Sequence, residues 1–308
     1  MAGTREWLDN IIKKIKENFL MGKVESTDYL YCGHRIKLKD GKLTLDQREF
    51  VKDIKPLIIA PGRKKQDDAP VTEKERSTIR SYAGKLGWLG RTTRPDILFP
   101  QIEASSTVTK ATVRNLKDLS KAVGRIFEAD CIQTVPRLSP DISKWKLLCH
   151  SDAAWQNIAV TGSTAGRVMV LTDGDKNYPL HWGTNRIRRV CHSSQQAEIM
   201  AANIAVGEAT YLTAVLEEMM GVDVPVELYI DNKNAFSTIT ATTAPTDKKV
   251  RREAAGIREA LIMGEVKKIA LVKTTEQLAD SLTKKKANGT NLLHLVQTGG
   301  RLEEALGH

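Results

Sequence analysis

Four carboxylate side chains occupy positions in the sequence from which they could act together at one site. Asp152 and Asp231 each follow a run of residues that reads as a strand, and Asp280 comes soon after a third. Glu198 falls in the second turn of a predicted long helix. Ligands of open α/β sheets collect beyond the strand ends, so we expect the four side chains to lie together. Like charges repel and a cluster of them needs a cation, and oxygen-only ligands suit Mg²⁺ or Mn²⁺.

Each of these acids also has an ordinary structural explanation when it is taken alone. Asp231, which Asn232 follows, could cap the next helix. Asp280 could interact favourably with the dipole of its own helix. Glu198 could be a solvated surface residue. Only the combination indicates a metal centre.

The predicted elements of the second half would position these acids. Strands are expected at 146–150, 166–172, near 181–182, at 224–230 and at 267–273. Helices are expected at 193–219, 232–240 and 248–263, and a last one, opened by a capping box of Thr274 and Gln277, should carry Asp280. This order predicts an α/β fold with a mixed sheet flanked by helices.

The first half has a different pattern of apolar residues, which predicts a mostly helical region. Apolar spacing predicts helices at 7–19, 47–57, 75–90 and 114–128. A strand at 29–36 and residues 43–45 should form a β-hairpin around the turn at 39–42. Residues 61–77 are expected to be a loop and residues 132–144 a linker. We therefore expect a basic region over 1–140, a second domain over 141–290 and a C-terminal tail over 291–308.

Charge separates the two halves as well. The net charge is +10, with 27 lysines and arginines against 18 acids in residues 1–140 and 20 against 19 in residues 141–308. A basic half indicates a polyanionic partner, most often nucleic acid, although solubility alone would also account for it. The four cysteines are widely spaced, which favours free thiols over a zinc site or disulfides. Neither a signal peptide nor a membrane-spanning run is expected, so we predict an intracellular protein.

Five segments of the second half resemble, in order, the ribonuclease H region of copia-type retrotransposon polyproteins. They are residues 151–155, 162–166, 193–198, 229–232 and 277–284. Upstream, residues 82–89 and 93–97 resemble the connection segment of the same polyproteins, and residues 29–50 resemble the end of the reverse transcriptase palm and thumb. The resemblance covers roughly residues 5–290. It implies a ribonuclease H-like, mixed five-stranded sheet preceded by a mostly helical thumb and connection region with a β-hairpin.

The resemblance implies endonucleolytic hydrolysis of the RNA strand of RNA–DNA hybrids with two Mg²⁺ or Mn²⁺ ions. Asp152 would contact both ions, Asp280 would help to hold the one that activates water, and Glu198 and Asp231 would hold the other. Glu198 could also sense the ribose 2′-hydroxyl, which separates RNA from DNA. Some basic residues could contact phosphate, namely Arg186, Arg188, Arg189 and Arg94. The first three could equally be part of a solvated strand or loop.

Some features depart from the family pattern. The paired aspartates of the polymerase are absent, so we expect no primer extension by this chain. Ala154 stands where an aspartate is usual, and the family's Thr-Lys-His-Ile stretch is replaced around Asp247–Val250, which puts any role of that histidine in doubt.

Two other functions stay open. A non-catalytic nucleic-acid-binding or assembly protein derived from a retroelement is the alternative, although all four acids are present. A transposase or integrase is disfavoured because its glutamate comes late in the chain, whereas Glu198 is second here. Expected partners are an RNA–DNA hybrid and the polymerase part of a reverse transcriptase or another subunit, with no membrane. The expected location is the cytoplasm, the nucleus or a retroelement particle.

Overall fold

The computed structural model describes residues 5–158, 162–285, 287 and 289–300. Its first half contains one small group of strands among helices. In chain order the elements are α1 (Arg5–Asn18), β1 (Asp28–Tyr31), β2 (His34–Lys39), β3 (Lys42–Asp46), α2 (Arg48–Lys52), α3 (Pro61–Lys64), α4 (Glu73–Gly90), α5 (Leu98–Thr107), α6 (Val113–Arg125) and β4 (Ile132–Val135).

The second half alternates long strands with helices. Its elements are β5 (Lys146–Ile158), β6 (Gly162–Thr172), β7 (Asn177–Ile187), α7 (Ser194–Met220), β8 (Val226–Ile230), α8 (Lys233–Thr240), α9 (Lys248–Ile262), β9 (Val266–Leu271) and α10 (Thr290–Thr298). Two short 3-10 turns, Thr274–Glu276 and Asp280–Leu282, lie between β9 and α10.

Strands β5 to β9 form one mixed sheet in the order β7-β6-β5-β8-β9. The pairs β5–β6 and β6–β7 are antiparallel, whereas β5–β8 and β8–β9 are parallel. This confirms the predicted five-stranded mixed sheet flanked by helices. The expected end of the first strand was wrong, because β5 runs on to Ile158 and Asp152 pairs with Gly166 inside the ladder.

Both faces of this sheet are covered, which explains its nearly continuous apolar strands. Along β6, Met169 and Leu171 belong to the core that packs against α7 and α9. The alternate residues Val168 and Val170 belong to a second core on the opposite face. Leu98 of α5 enters that second core, so an element of the first half covers part of the main sheet.

The long helix α7 lies on the first face, with Ile199, Ala202 and Ala205 fully buried. Its N-terminus is capped by Ser193, whose hydroxyl accepts from the Gln196 amide at 3.1 Å. By length and hydropathy α7 is also the one helix of the described residues that could cross a membrane. The packing of its N-terminal half against the sheet accounts for that apolar composition.

The first half carries a four-stranded antiparallel sheet in the order β1-β2-β3-β4, which contains the predicted hairpin. The single strand predicted over 29–36 was wrong, since Cys32 and Gly33 have φ of 47° and 77° and turn the chain between β1 and β2. Residues expected to be linker form β4, which pairs with β3. Helix α5 had not been predicted.

Several contacts join the two halves directly. The indole nitrogen of Trp182 donates to the carbonyl of Gly90 at 2.7 Å. Helix α10 lies between β4 and β7, and its Leu292, Leu295 and Val296 are buried. These residues stand at the start of the segment expected to be a tail, of which 301–308 lie outside the described residues.

Arg94 is part of this joint. Its side chain is only 1% exposed and forms a two-pronged ion pair with Asp96, at 2.8 and 2.9 Å. The remaining donors reach the carbonyls of Arg125, Ile126 and Ala129 at 2.7 to 3.0 Å, where α6 ends. The expected phosphate contact of Arg94 was therefore wrong, because these buried partners occupy the whole guanidinium. Helix ends need such partners for their last carbonyls.

Replacing Arg94 by lysine should destabilise the protein strongly. A lysine cannot satisfy the two Asp96 oxygens and the carbonyls together, so buried polar groups lose their partners. We expect a loss on the order of 3–5 kcal/mol in the free energy of unfolding, measured by urea titration. Arg91→Lys, at an exposed position three residues earlier, is the matched control and should change little. Equal stability of the two variants would contradict this role.

Candidate metal centre

Three of the four predicted carboxylates meet at one point. Asp152 projects from the middle of β5, Glu198 from the second turn of α7, and Asp231 directly follows β8. One carboxylate oxygen from each lies within 4.8 Å of the others. Asp152 and Glu198 are buried, whereas Asp231 is half-buried. The parallel pairing of β5 with β8 brings the two aspartates together. The sequence predicts that these acids meet, but not which strands pair.

Asp231 does not cap the helix that follows it. The cap of α8 is Asn232, whose side-chain oxygen accepts from the Ala235 amide at 2.9 Å. The ordinary structural explanation of Asp231 therefore fails, and its carboxylate is left to face the other two. Glu198 is likewise no surface residue, since it is 8% exposed.

Asp280 approaches from another side and reaches Asp152 through a lysine. It lies in the 3-10 turn Asp280–Leu282 rather than in the predicted helix. The Lys284 ammonium donates to Asp280 Oδ1 and also to Asp152 Oδ1 at 3.4 Å. The hydroxyl of Thr283 donates to the second oxygen of Asp152, Oδ2. Asp280 is thus at the centre, but it shares a cation with Asp152.

Gly166 makes room for this turn on the sheet. A Cβ on Gly166, the strand partner of Asp152, would lie 2.7 Å from Thr283 Cγ2 and 2.9 Å from the Ala279 carbonyl. The carbonyl of Thr283 is held from the sheet by Asn157 at 2.6 Å and Thr164 at 3.2 Å. The turn therefore sits in close and fixed contact with the strand that carries Asp152.

Burial of these acids without a cation is unfavourable. Burial is the largest cause that raises the pKa of Glu198 to about 9, and the neighbouring Asp152 and Asp231 contribute to the same rise. Burial also raises the pKa of Asp152 to about 6, although Lys284 and Thr283 oppose the rise. A divalent ion among the three oxygens would relieve both desolvation and repulsion. The donor set fits Mg²⁺ or Mn²⁺, and Asp152, Glu198 and Asp231 would hold it.

The other predicted phosphate contacts are exposed. Arg186 lies near the end of β7, and Arg188 and Arg189 follow in the loop before α7. Arg189 forms an ion pair with the buried Glu253 of α9, which also pairs with Arg252. Arg186 and Arg188 are accessible to a ligand, so their phosphate contacts stay a prediction.

Sequence reasoning missed the parts of the centre that are not acids. Thr283 and Lys284 stand three and four residues after Asp280, which is the spacing that puts side chains on one side of a helical turn. That spacing was the available signal. Gln277, expected to complete a capping box, instead donates from its side chain to the carbonyls of Ser151 and Tyr229 at 3.0 and 3.3 Å.

No family model matches the chain. Among solved structures it is similar to ribonuclease H1 from Halobacterium salinarum NRC-1, with 22% identity over 45% of this chain and 94% of that one, at a TM-score of 0.34. LC11-RNase H1 in complex with an RNA/DNA hybrid is 16% identical over 45% of this chain and 94% of that one, with a TM-score of 0.35. The foamy viral protease-reverse transcriptase in complex with dsDNA is 14% identical, with 53% of this chain and 96% of that chain covered and a TM-score of 0.31.

Without divalent ions, Glu198→Gln should stabilise the protein in a pH-dependent way. The folded pKa of about 9 lies above the ordinary value of 4.5, so ionisation of Glu198 opposes folding between those values. This unfavourable contribution to the free energy of folding is absent below about pH 4.5 and grows as the pH rises toward 9. Urea unfolding in a chelator should therefore show a small gain at about pH 5 and a larger one at about pH 8.

The control is Glu218→Gln, an exposed glutamate at the other end of α7. It should leave the free energy of unfolding nearly unchanged at both pH values. A gain for Glu198→Gln that is equal at the two pH values would contradict the crowding of charge described here.

Proposed function

We propose that this chain is a metal-dependent ribonuclease H that cleaves the RNA strand of RNA–DNA hybrids as part of a retroelement reverse transcriptase. One observation carries the proposal: the carboxylates of Asp152, Glu198 and Asp231 converge within 4.8 Å beside Asp280. The acids come from separate elements far apart in sequence, and a divalent cation among them would relieve their mutual repulsion.

Some residues of the centre would bind ions, and others orient the side chains that bind them. Asp152, Glu198 and Asp231 would bind one ion, and Asp152 with Asp280 offers oxygens for a second. When bound, divalent ions activate water and stabilise the charge that develops on a phosphate. Thr283 fixes the orientation of Asp152, since its hydroxyl donates to Oδ2. The half-buried Asp231 leaves the centre open to solvent on its side.

The excess of basic residues in 1–140 supports nucleic acid as the substrate. Contacts between the two halves, such as Trp182 with Gly90, would keep a duplex bound to the first half in register with the centre in the second. Preference for a hybrid follows from the resemblance of five ordered segments to the ribonuclease H region of copia-type elements. A non-catalytic nucleic-acid-binding protein is the alternative that activity measurements separate from this proposal.

Asp231→Asn should abolish cleavage while it preserves the fold. Asparagine keeps the shape and one oxygen but removes the charge that an ion requires. We expect Mg²⁺-dependent cleavage of a labelled hybrid to fall by at least about 100-fold, as for the loss of a strong electrostatic contact to the reacting centre. Hybrid affinity at low salt should persist, because phosphate contacts of the basic half supply it.

The matched control is Asp247→Asn. Asp247 is a true helix cap, since its side chain accepts from the Lys249 amide at 2.8 Å, and asparagine caps equally well. It should keep full activity. Undiminished cleavage by Asp231→Asn would remove Asp231 from the metal ligands. A wild-type chain that binds hybrids but cleaves none with Mg²⁺ or Mn²⁺ would favour the non-catalytic alternative.

A further inference from the structure

Lys284 lies where two acids of the centre would share an ion. Its ammonium contacts both Asp152 Oδ1, at 3.4 Å, and Asp280 Oδ1. Asp152 is the one acid that takes part in both groups, because its carboxylate also lies beside Glu198 and Asp231. The carboxylate of Asp152 therefore belongs to two groups. One is the cluster that it forms with Glu198 and Asp231, and the other is its pair with Asp280, where the Lys284 ammonium already lies.

The backbone at Lys284 is held in place by contacts of the turn that carries it. The backbone amide of Lys284 donates to the Asp280 carbonyl at 3.2 Å, which places its side chain on the same side of the turn as Asp280. The preceding residue is held to the sheet by Asn157 and Thr164. The close approach of the turn at Gly166 leaves it little freedom to move away from β6.

An ion that bridged Asp152 and Asp280 would have to take the place of this ammonium. The ammonium already contacts one oxygen of each carboxylate, so an ion bound to those same two oxygens would overlap with it and be repelled by its charge. The charge balance agrees with one ion. The four carboxylates are offset in large part by Lys284 and one divalent ion, whereas two ions together with Lys284 would leave the centre positive.

We propose that Lys284 is a tethered cation that occupies the Asp152–Asp280 side of the centre until nucleic acid binds. In the free protein, Asp152, Glu198 and Asp231 then hold one ion, and a second binds only after the Lys284 side chain has moved. This inference rests on the proposed function and adds a control of metal loading by substrate.

A phosphate of the bound strand is the partner that would draw Lys284 away. The lysine side chain is 41% exposed, so its ammonium can be reached from solvent. Its flexible stem allows the charge to shift toward a phosphate oxygen, and the ammonium is a good point-charge partner for phosphate. Release of Lys284 and completion of the centre would thus happen in the same step.

Counting bound Mn²⁺ tests the inference without any measurement of activity. In calorimetric titrations without nucleic acid, the wild-type chain should bind one Mn²⁺ tightly, and Lys284→Gln should bind two, with the second at least tenfold tighter than in wild type. A hybrid whose RNA strand cannot be cleaved, such as one with 2′-O-methyl sugars, should raise the wild-type count from one to two.

Two lysine variants serve as controls. Lys285→Gln removes the same charge one residue later, where the ammonium pairs with Asp118 and Glu103 instead, and it should still bind one ion. Lys284→Arg retains the charge and should also bind one. If Lys284→Gln fails to fold, Lys284→Met, which removes the same charge and keeps an unbranched side chain, is titrated in its place and should likewise bind two ions.

Two tight ions in the free wild-type chain would overturn the inference while leaving the proposed function intact. A single ion in Lys284→Gln would overturn it as well, since Lys284 would then not be what excludes the second ion. Binding of no Mn²⁺ by any of these proteins would overturn the proposed function and the inference together.

Discussion

Repulsion among buried carboxylates is the constraint on which the arrangement of the second half depends. Asp152 and Glu198 are removed from water and lie beside Asp231, so each raises the free energy of the others when ionised. A chain holds such a group together only if the surrounding packing is strong enough to oppose the repulsion. Here the sheet is covered on both faces, and β5 and the N-terminal half of α7, which carry the two buried acids, contribute residues to its cores.

The same packing explains how the acids reach one another from distant elements. Parallel pairing of β5 with β8 sets Asp231 next to the strand that carries Asp152. The alanines of α7, including Ala197 and Ala201, let the helix lie close to β5 and β6, which brings Glu198 over the sheet. Gly166 does the same for the turn that carries Asp280. Small residues at these contacts decide the geometry of the centre.

Much of this was open to prediction from sequence, and the failures have physical causes. Strand and helix order followed from periodicity, and the meeting of Asp152, Glu198 and Asp231 was expected, although Asp152 lies inside β5 and not at its end. The length of β5 did not, since a strand buried on both faces loses the alternation that marks its end. The turn at Cys32 depends on a left-handed backbone at a residue that rarely adopts one. The burial of Arg94 depends on helix ends that only the folded chain brings together.

The centre also shows what a pattern of acids leaves out. Thr283 and Lys284 contact Asp152 directly, yet neither is an acid, and their meaning appears only when the turn is placed against β6. Prediction from ligand types alone therefore identifies the negative charges that need a cation. It does not identify Lys284, the cation that the chain itself supplies.

Anomalous diffraction from crystals of the wild-type chain grown with Mn²⁺ is the most direct test of the central claim. The account predicts a strong peak between Asp152, Glu198 and Asp231, with a carboxylate oxygen of each at a metal–ligand distance of roughly 2.0–2.4 Å. Three carboxylates that remain together with no peak between them, at Mn²⁺ concentrations that occupy other sites, would contradict it.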